Sequence, residues 1–98
     1  MIKSFRHKGL KKFFESGSTA GIQPAHKNRL ARQLHQLNVA SCPDDMNLPG
    51  WGLHLLQGKN PKKQDVDGHY SISVNGNWRL TFYFDHGDAV LVDYQDYH

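Results

Sequence analysis

The stretch NGNWRLTFYFDHGDAVLVDYQDYH, residues 75–98, constrains the fold more than any other part of the chain. Trp78, Leu80, Phe82 and Phe84 alternate with Arg79, Thr81 and Tyr83, the period of two that marks a half-buried strand. Asn75-Gly76-Asn77 precedes this run and Asp85-His86-Gly87-Asp88 follows it. Gly and Asn tolerate positive φ, so both segments read as tight turns. Ala89 to Asp96 forms a closing strand, and Tyr70, Ile72 and Val74 are the apolar positions of the strand before. Facing Ile72 with Leu80 and Val74 with Trp78 requires Asn75-Gly76-Asn77 as a three-residue loop with a bulge. A two-residue Asn-Gly loop would set Ile72 against Arg79 and turn one strand inside out. Arg79 is then expected on the face opposite Trp78, among Ser73 and Thr81, with Tyr97 in line if no further bulge intervenes.

The rest of the chain must cover this meander. Ile2 to Phe5 reads as a short first strand. His7 to Glu15 reads as a helix, with Leu10, Phe13 and Phe14 at i, i+3 and i+4. Gly9 weakens that helix by about 1 kcal/mol relative to Ala. Ser16 to Gly21 is a loop by composition. Pro24 opens a second helix to about Asn38, buried along Leu30, Leu34 and Leu37. Arg29, Arg32 and Gln36 are expected on its other face, either solvated or as a phosphate-contacting ridge. Val39 to Pro49 is irregular, Trp51 to Leu56 can form a strand, and Gln57 to Gly68 reads as a long polar loop. Helices followed by consecutive strands indicate an α+β fold, two N-terminal helices packed on a small, mostly antiparallel sheet.

Ninety-eight residues make one small domain, here 1–98. No apolar run approaches a membrane span, and no signal-like apolar segment follows Met1. The lone cysteine, Cys42, cannot close an internal disulfide, so a cytoplasmic setting is expected. The net charge of +3 permits an anionic partner without demanding one. Its distribution is more informative, because Lys59, Lys62 and Lys63 cluster in one loop while acidic residues gather between Asp85 and Asp96.

Seven histidines invite a metal reading, but none has the spacing of a zinc site, and Asp44-Asp45 has no third carboxylate nearby. No metal and no cofactor is expected. His54, within WGLHLL, and His98 are better placed in an acid–base scheme, together with Arg79, Asp96, Tyr97 and Lys59. Imidazole suits proton transfer near neutral pH. Cationic side chains stabilise charge developing on a phosphate, and tyrosine stacks on a base or donates a hydrogen bond. Two imidazoles, cations and an aromatic are what side-chain-driven RNA cleavage requires.

The segments MIKSFRHKGLKKFFE, STAGIQPAH, LHxL, SIxVNGNWRLTF and VDYQDYH together resemble the HigB toxins of the RelE/ParE superfamily, over nearly the whole chain. The resemblance implies a RelE-like fold and a metal-independent endonuclease that cuts mRNA in the ribosomal A site and stops growth. It further implies a HigA-like helix-turn-helix antitoxin, operator DNA contacted only through the toxin–antitoxin complex, and no membrane. Carried over residue by residue, the catalytic positions fall on His54, Arg79, Asp96, Tyr97 and His98, with Lys59, Lys62, Lys63, Arg29 and Arg32 as RNA- or phosphate-binding candidates. At the chain's end, the α-carboxylate of His98 would favour its own imidazolium. The family's LHPLKG segment is LHLLQG here, so Gln57 replaces a lysine. Either Lys59 supplies the missing charge or the toxin is weakened. Competing readings are a non-catalytic, ParE-like gyrase inhibitor and a degenerate toxin that only binds its antitoxin.

Overall fold

The alternation of residues 78–84 does produce an interior strand of the sheet. The computed structural model describes residues 1–97. Among these, two helices, α1 (Lys8–Ser16) and α2 (Lys27–Val39), precede four strands, β1 (His54–Leu55), β2 (Tyr70–Asn75), β3 (Trp78–Asp85) and β4 (Asp88–Asp96). The strands form one antiparallel sheet in chain order. Leu10, Phe13, Leu30, Leu34 and Leu37 of the helices are buried with Ile72, Val74, Leu80, Phe82 and Tyr94 of the sheet. The fold is therefore α+β, with the helices on one face of the sheet.

The helix boundaries follow from caps. His7 accepts the Leu10 amide on Nδ1 at 2.9 Å, and Gly17 ends α1 at φ 80. The expected stripe is only partly buried, because Phe14 stays 36% exposed and meets the Phe5 ring at 5.7 Å. Pro24–His26 is a 3-10 turn that leads into α2. The residues of Ile2 to Phe5 do not form a full strand. They run parallel to β4 through two isolated bridges, Ile2 to Ala89 and Phe5 to Val92. The strand expected over Trp51–Leu56 shrinks to two residues, since the Trp51 carbonyl accepts the Ser73 amide (2.7 Å) outside the ladder.

Register decides which residues share a face. Ile72 lies opposite Leu80, as the sequence requires. The bulge falls within the strand instead of the loop, however. Asn75 pairs with Trp78, Val74 is the extra residue, and Gly76-Asn77 alone makes the turn. A second irregularity separates Thr81–Asp93 from Tyr83–Val90. There Leu91 adopts φ 54, and its amide donates to Ser4 Oγ at 2.8 Å. The N-terminal segment pairs with β4 at this point through Val92 N to Ser4 O. One extra residue reverses the strand's inside–outside parity. Ala89, Val92 and Tyr94 consequently all face the core, while Asp93 and Gln95 face outward with Thr81 and Arg79.

Candidate active site

The outward face is polar and ordered in rows. Pairing sets His54, Ser71, Thr81 and Asp93 in one row across all four strands, and Ser73, Arg79 and Gln95 in the next. Tyr97 follows Gln95 by two positions and so projects from the same face. Ser71, Thr81, Asp93 and Gln95 are nonetheless buried, because the segment between β1 and β2 folds over them.

That segment is a hairpin, not the open loop its composition implies. Leu56 N donates to His69 O (2.8 Å), Val66 N to Gly58 O (2.9 Å), and Asn60 N to Gln64 O (2.9 Å), with a bridge between Lys59 and Asp65. Asn60 organises the tip, since its Oδ1 accepts the amides of Lys62 and Gln64 at 3.0 and 2.9 Å. Val66 is 2% exposed, and Arg6 donates to the Asp65 carbonyl at 3.3 Å.

Between this hairpin and the sheet edge lies a cleft of about 480 Å³, lined by His54, Leu55, Leu56, Gln57, Lys59, Val66 and Tyr97. Three of the expected site residues, His54, Lys59 and Tyr97, therefore share one cavity. Burial raises the Tyr97 phenol above its ordinary range, with Asp93 adding to the effect and Arg6 and Arg79 opposing it. The phenol thus keeps its proton at neutral pH and is available as a donor. Its hydroxyl is buried with no hydrogen-bond partner among the described residues. Arg79 is close enough for its charge to reach Tyr97, although its Nη1 also donates to the Gly76 and Trp78 carbonyls at 2.7 and 3.2 Å.

The other expected residues are placed differently. Asp96 pairs with Trp78 and does not line the cleft. His98 lies outside the described residues. Lys62 and Lys63 sit exposed at the hairpin tip and do not line the cleft, and the Lys62 charge reaches His7. Arg29 and Arg32 belong to α2, across the sheet. Arg29 is held on the Ser73 and Gly50 carbonyls at 2.8–3.2 Å, so it ties α2 to β2 and does not project as a solvated ridge. Arg32 is exposed. Sequence reasoning missed Asn60, Gln64, Asp93, Gln95 and Arg6. The period of two through Asp93, Gln95 and Tyr97 was the available signal for two of them.

The sheet thus presents an imidazole, a lysine and a protonated phenol around one cleft, with the Arg79 guanidinium on the same face, and this arrangement belongs to a chain of the toxin class. The family model described as "RelE-like toxin of type II toxin-antitoxin system HigB" matches residues 3–98, and the chain belongs to that family. Membership of a type II toxin–antitoxin family implies an antitoxin partner. A curated relative from Proteus vulgaris, named Endoribonuclease HigB, is 42% identical over 98 residues, covering all of both chains.

Proposed function

We propose that this chain is an endoribonuclease that cuts mRNA on the ribosome and thereby inhibits translation. The carrying observation is the cleft that gathers His54, Lys59 and Tyr97 on the face bearing Arg79. The name and identity of the Proteus vulgaris relative support the same activity.

In the reaction we envisage, an imidazole removes the 2′-hydroxyl proton and the 2′-oxygen attacks phosphorus. The P–O5′ bond then breaks as a second group protonates the leaving 5′-oxygen, giving a cyclic phosphate and a 5′-hydroxyl. His54 and His98 divide the acid and base roles. Lys59 and Arg79 stabilise the negative charge on the phosphorane, and the Tyr97 phenol donates a hydrogen bond to it or stacks on a base. Gln57 and Lys59 both line the cleft, so Lys59 can replace the charge that Gln57 lacks. Asp96 supports the site from the neighbouring strand position. A HigA-like helix-turn-helix antitoxin silences the toxin, the pair represses its operon, and the protein works in the cytoplasm.

Toeprinting of translating ribosomes tests this reading. Cuts inside A-site codons with the wild-type protein, lost in His54→Ala, are expected. An absence of cuts with folded wild-type protein would reduce the chain to a binding module. In a growth assay, Lys59→Ala should relieve toxicity and Gln57→Lys should restore it in that background. Full toxicity of Lys59→Ala would rule out the compensating role.

A further inference from the structure

The hairpin that carries Lys59 is fastened to the sheet by a short chain of side-chain amides that is buried at its sheet end. Gln95 Nε2 donates to Asp93 Oδ2 at 2.8 Å and to Gln64 Oε1 at 3.1 Å. Gln64 Oε1 also accepts from Asn60 Nδ2 at 2.7 Å. Both protons of the Gln95 amide are thus spent, one on the strand and one on the hairpin. The second Asp93 oxygen accepts the Tyr94 amide at 2.9 Å, which fixes the carboxylate that orients Gln95. Gln95 and Asp93 are 4% and 5% exposed, and Asn60 is 6% exposed. Gln64 itself is exposed, so water reaches the hairpin end of the link; at the sheet end, loss of a bond leaves the buried Gln95 amide or Asp93 carboxylate short of a partner.

The link joins parts of the site that are distant in sequence. Gln95 is the cross-strand partner of Arg79 and stands two residues before Tyr97. Gln64 lies one residue before Asp65, whose bridge to Lys59 sets the place of that lysine on the rim of the cleft. The hairpin sets lysines at 59, 62 and 63 against Asp65 and Asp67, and its own short ladder contributes little stability. Buried Val66 and the Arg6 bond to the Asp65 carbonyl hold its base, and the Gln64–Gln95 bond is the side-chain link nearest its tip.

We propose that Gln64 and Gln95 are positioning residues that lock the 57–68 hairpin over the sheet and thereby set Lys59 at the phosphate subsite of the cleft. The proposal rests on the endoribonuclease reading above and on the role it gives Lys59. Misplacement of a charge by about 1 Å costs on the order of a hundredfold in rate when that charge acts in the transition state. The loss should therefore appear in kcat more than in KM.

The test uses one substitution at the two ends of one hydrogen bond. Gln64→Glu keeps the acceptor that Asn60 and Gln95 need, whereas Gln95→Glu sets a carboxylate against Asp93 and Gln64 Oε1. Hydrogen–deuterium exchange should be unchanged in Gln64→Glu and faster across residues 57–68 in Gln95→Glu. Gln64→Met, which leaves the Gln95–Asp93 bond intact and so spares the fold, should also speed exchange in that segment. In cleavage assays, Gln64→Met should lower kcat on the order of tenfold to a hundredfold, and add nothing in a Lys59→Ala background. Unchanged exchange in Gln64→Met would overturn the anchoring role whatever the chemistry of the cleft. Faster exchange with unaltered kcat, or losses that add to those of Lys59→Ala, would show an anchor that does not act through Lys59. A fully active Lys59→Ala would instead remove the reading on which the proposal stands.

Discussion

Replacing Gly9 by Ala sets a local rule against a tertiary contact, and the magnitudes decide between them. Gly9 lies in the first turn of α1, where helix propensity alone predicts a gain of about 1 kcal/mol for Ala. In the folded protein, however, a Cβ at this position would stand 2.7 Å from Gly21 Cα and 3.0 Å from the Gly21 carbonyl oxygen. Both are backbone atoms and cannot rotate away. A Cβ on Gly21 would meet Gly9 Cα at 2.6 Å, so the two glycines form one close crossing. Overpacking of this kind costs roughly 1–3 kcal/mol. The cost exceeds the propensity gain, and a net loss of about 1 kcal/mol is expected, or a fall in melting temperature of roughly 4–8 °C for a chain of this size. Differential scanning calorimetry of Gly9→Ala, with exposed Lys12→Ala on the same helix as control, measures the difference. Gly9→Ala and Gly21→Ala together should cost less than their sum, because either one already forces the backbones apart. A raised melting temperature for Gly9→Ala would refute the close-crossing account and leave propensity in charge.

Three further outcomes are expected. Burial lowers the pKa of His7, His26 and His69 below the ordinary histidine value; the unfolded chain therefore binds more protons as pH falls, so the stabilisation is complete above about pH 6.5 and declines below it. Melting temperatures between about pH 7.5 and 5 should fall with pH, and a flat or rising profile would contradict the burial of these rings. Arg29→Met should lower stability by about 1–3 kcal/mol in urea titrations by removing its charge-assisted bonds to Ser73 and Gly50, while leaving the salt dependence of cleavage unchanged; a flatter salt slope would instead place Arg29 on phosphate. Tyr97→Phe removes a hydroxyl with no partner among the described residues, so stability should hold within about 0.5 kcal/mol; cleavage should nevertheless fall on the order of a hundredfold if the phenol donates to the transition state, and wild-type cleavage rates would leave Tyr97 with a stacking role alone.

The parts of the fold legible in the sequence are those governed by side-chain period. The alternation from Trp78 to Phe84 fixed β3, and the need to pair Ile72 with Leu80 fixed its register with β2. The bulges were less legible because they answer to neighbours remote in sequence. Val74 bulges where Ser73 donates its amide to Trp51 O, and Leu91 turns to φ 54 where Ser4 reaches β4. The run Ala89-Val90-Leu91-Val92 is apolar throughout and carries no parity of its own. The cleft was half legible. His54, Lys59 and Tyr97 could be named from residue type and resemblance, but Gln57 to Gly68 carries turn residues that look the same whether the segment is open or folded. The Asn60 side chain, bound to the amides of Lys62 and Gln64, and the contacts of Val66, Asp65 and Gln64 with distant residues make the difference.

The β4 bulge also explains why the closing strand can serve core and cleft at once. Without the extra residue at Leu91, alternation continued from Ala89 would send Tyr94 and Asp96 outward and Gln95 and Tyr97 into the core. Tyr94 could then not reach His26, whose Nδ1 now meets its hydroxyl at 2.6 Å, and the buried face would have to accept an amide in place of an aromatic ring. With the bulge, Tyr94 closes the core beneath the helices, and Asp93, Gln95 and Tyr97 stand outward beside Arg79. The N-terminal segment meets the bulge, with Ser4 Oγ accepting the Leu91 amide and the Ser4 carbonyl accepting the Val92 amide. The first residues of the chain thus brace the bulge that sets the face on which its last strand presents the phenol. Shortening the Ser4 side chain to alanine removes the only side-chain bond on that amide among the described residues, which makes residue 4 a remote structural support of the cleft.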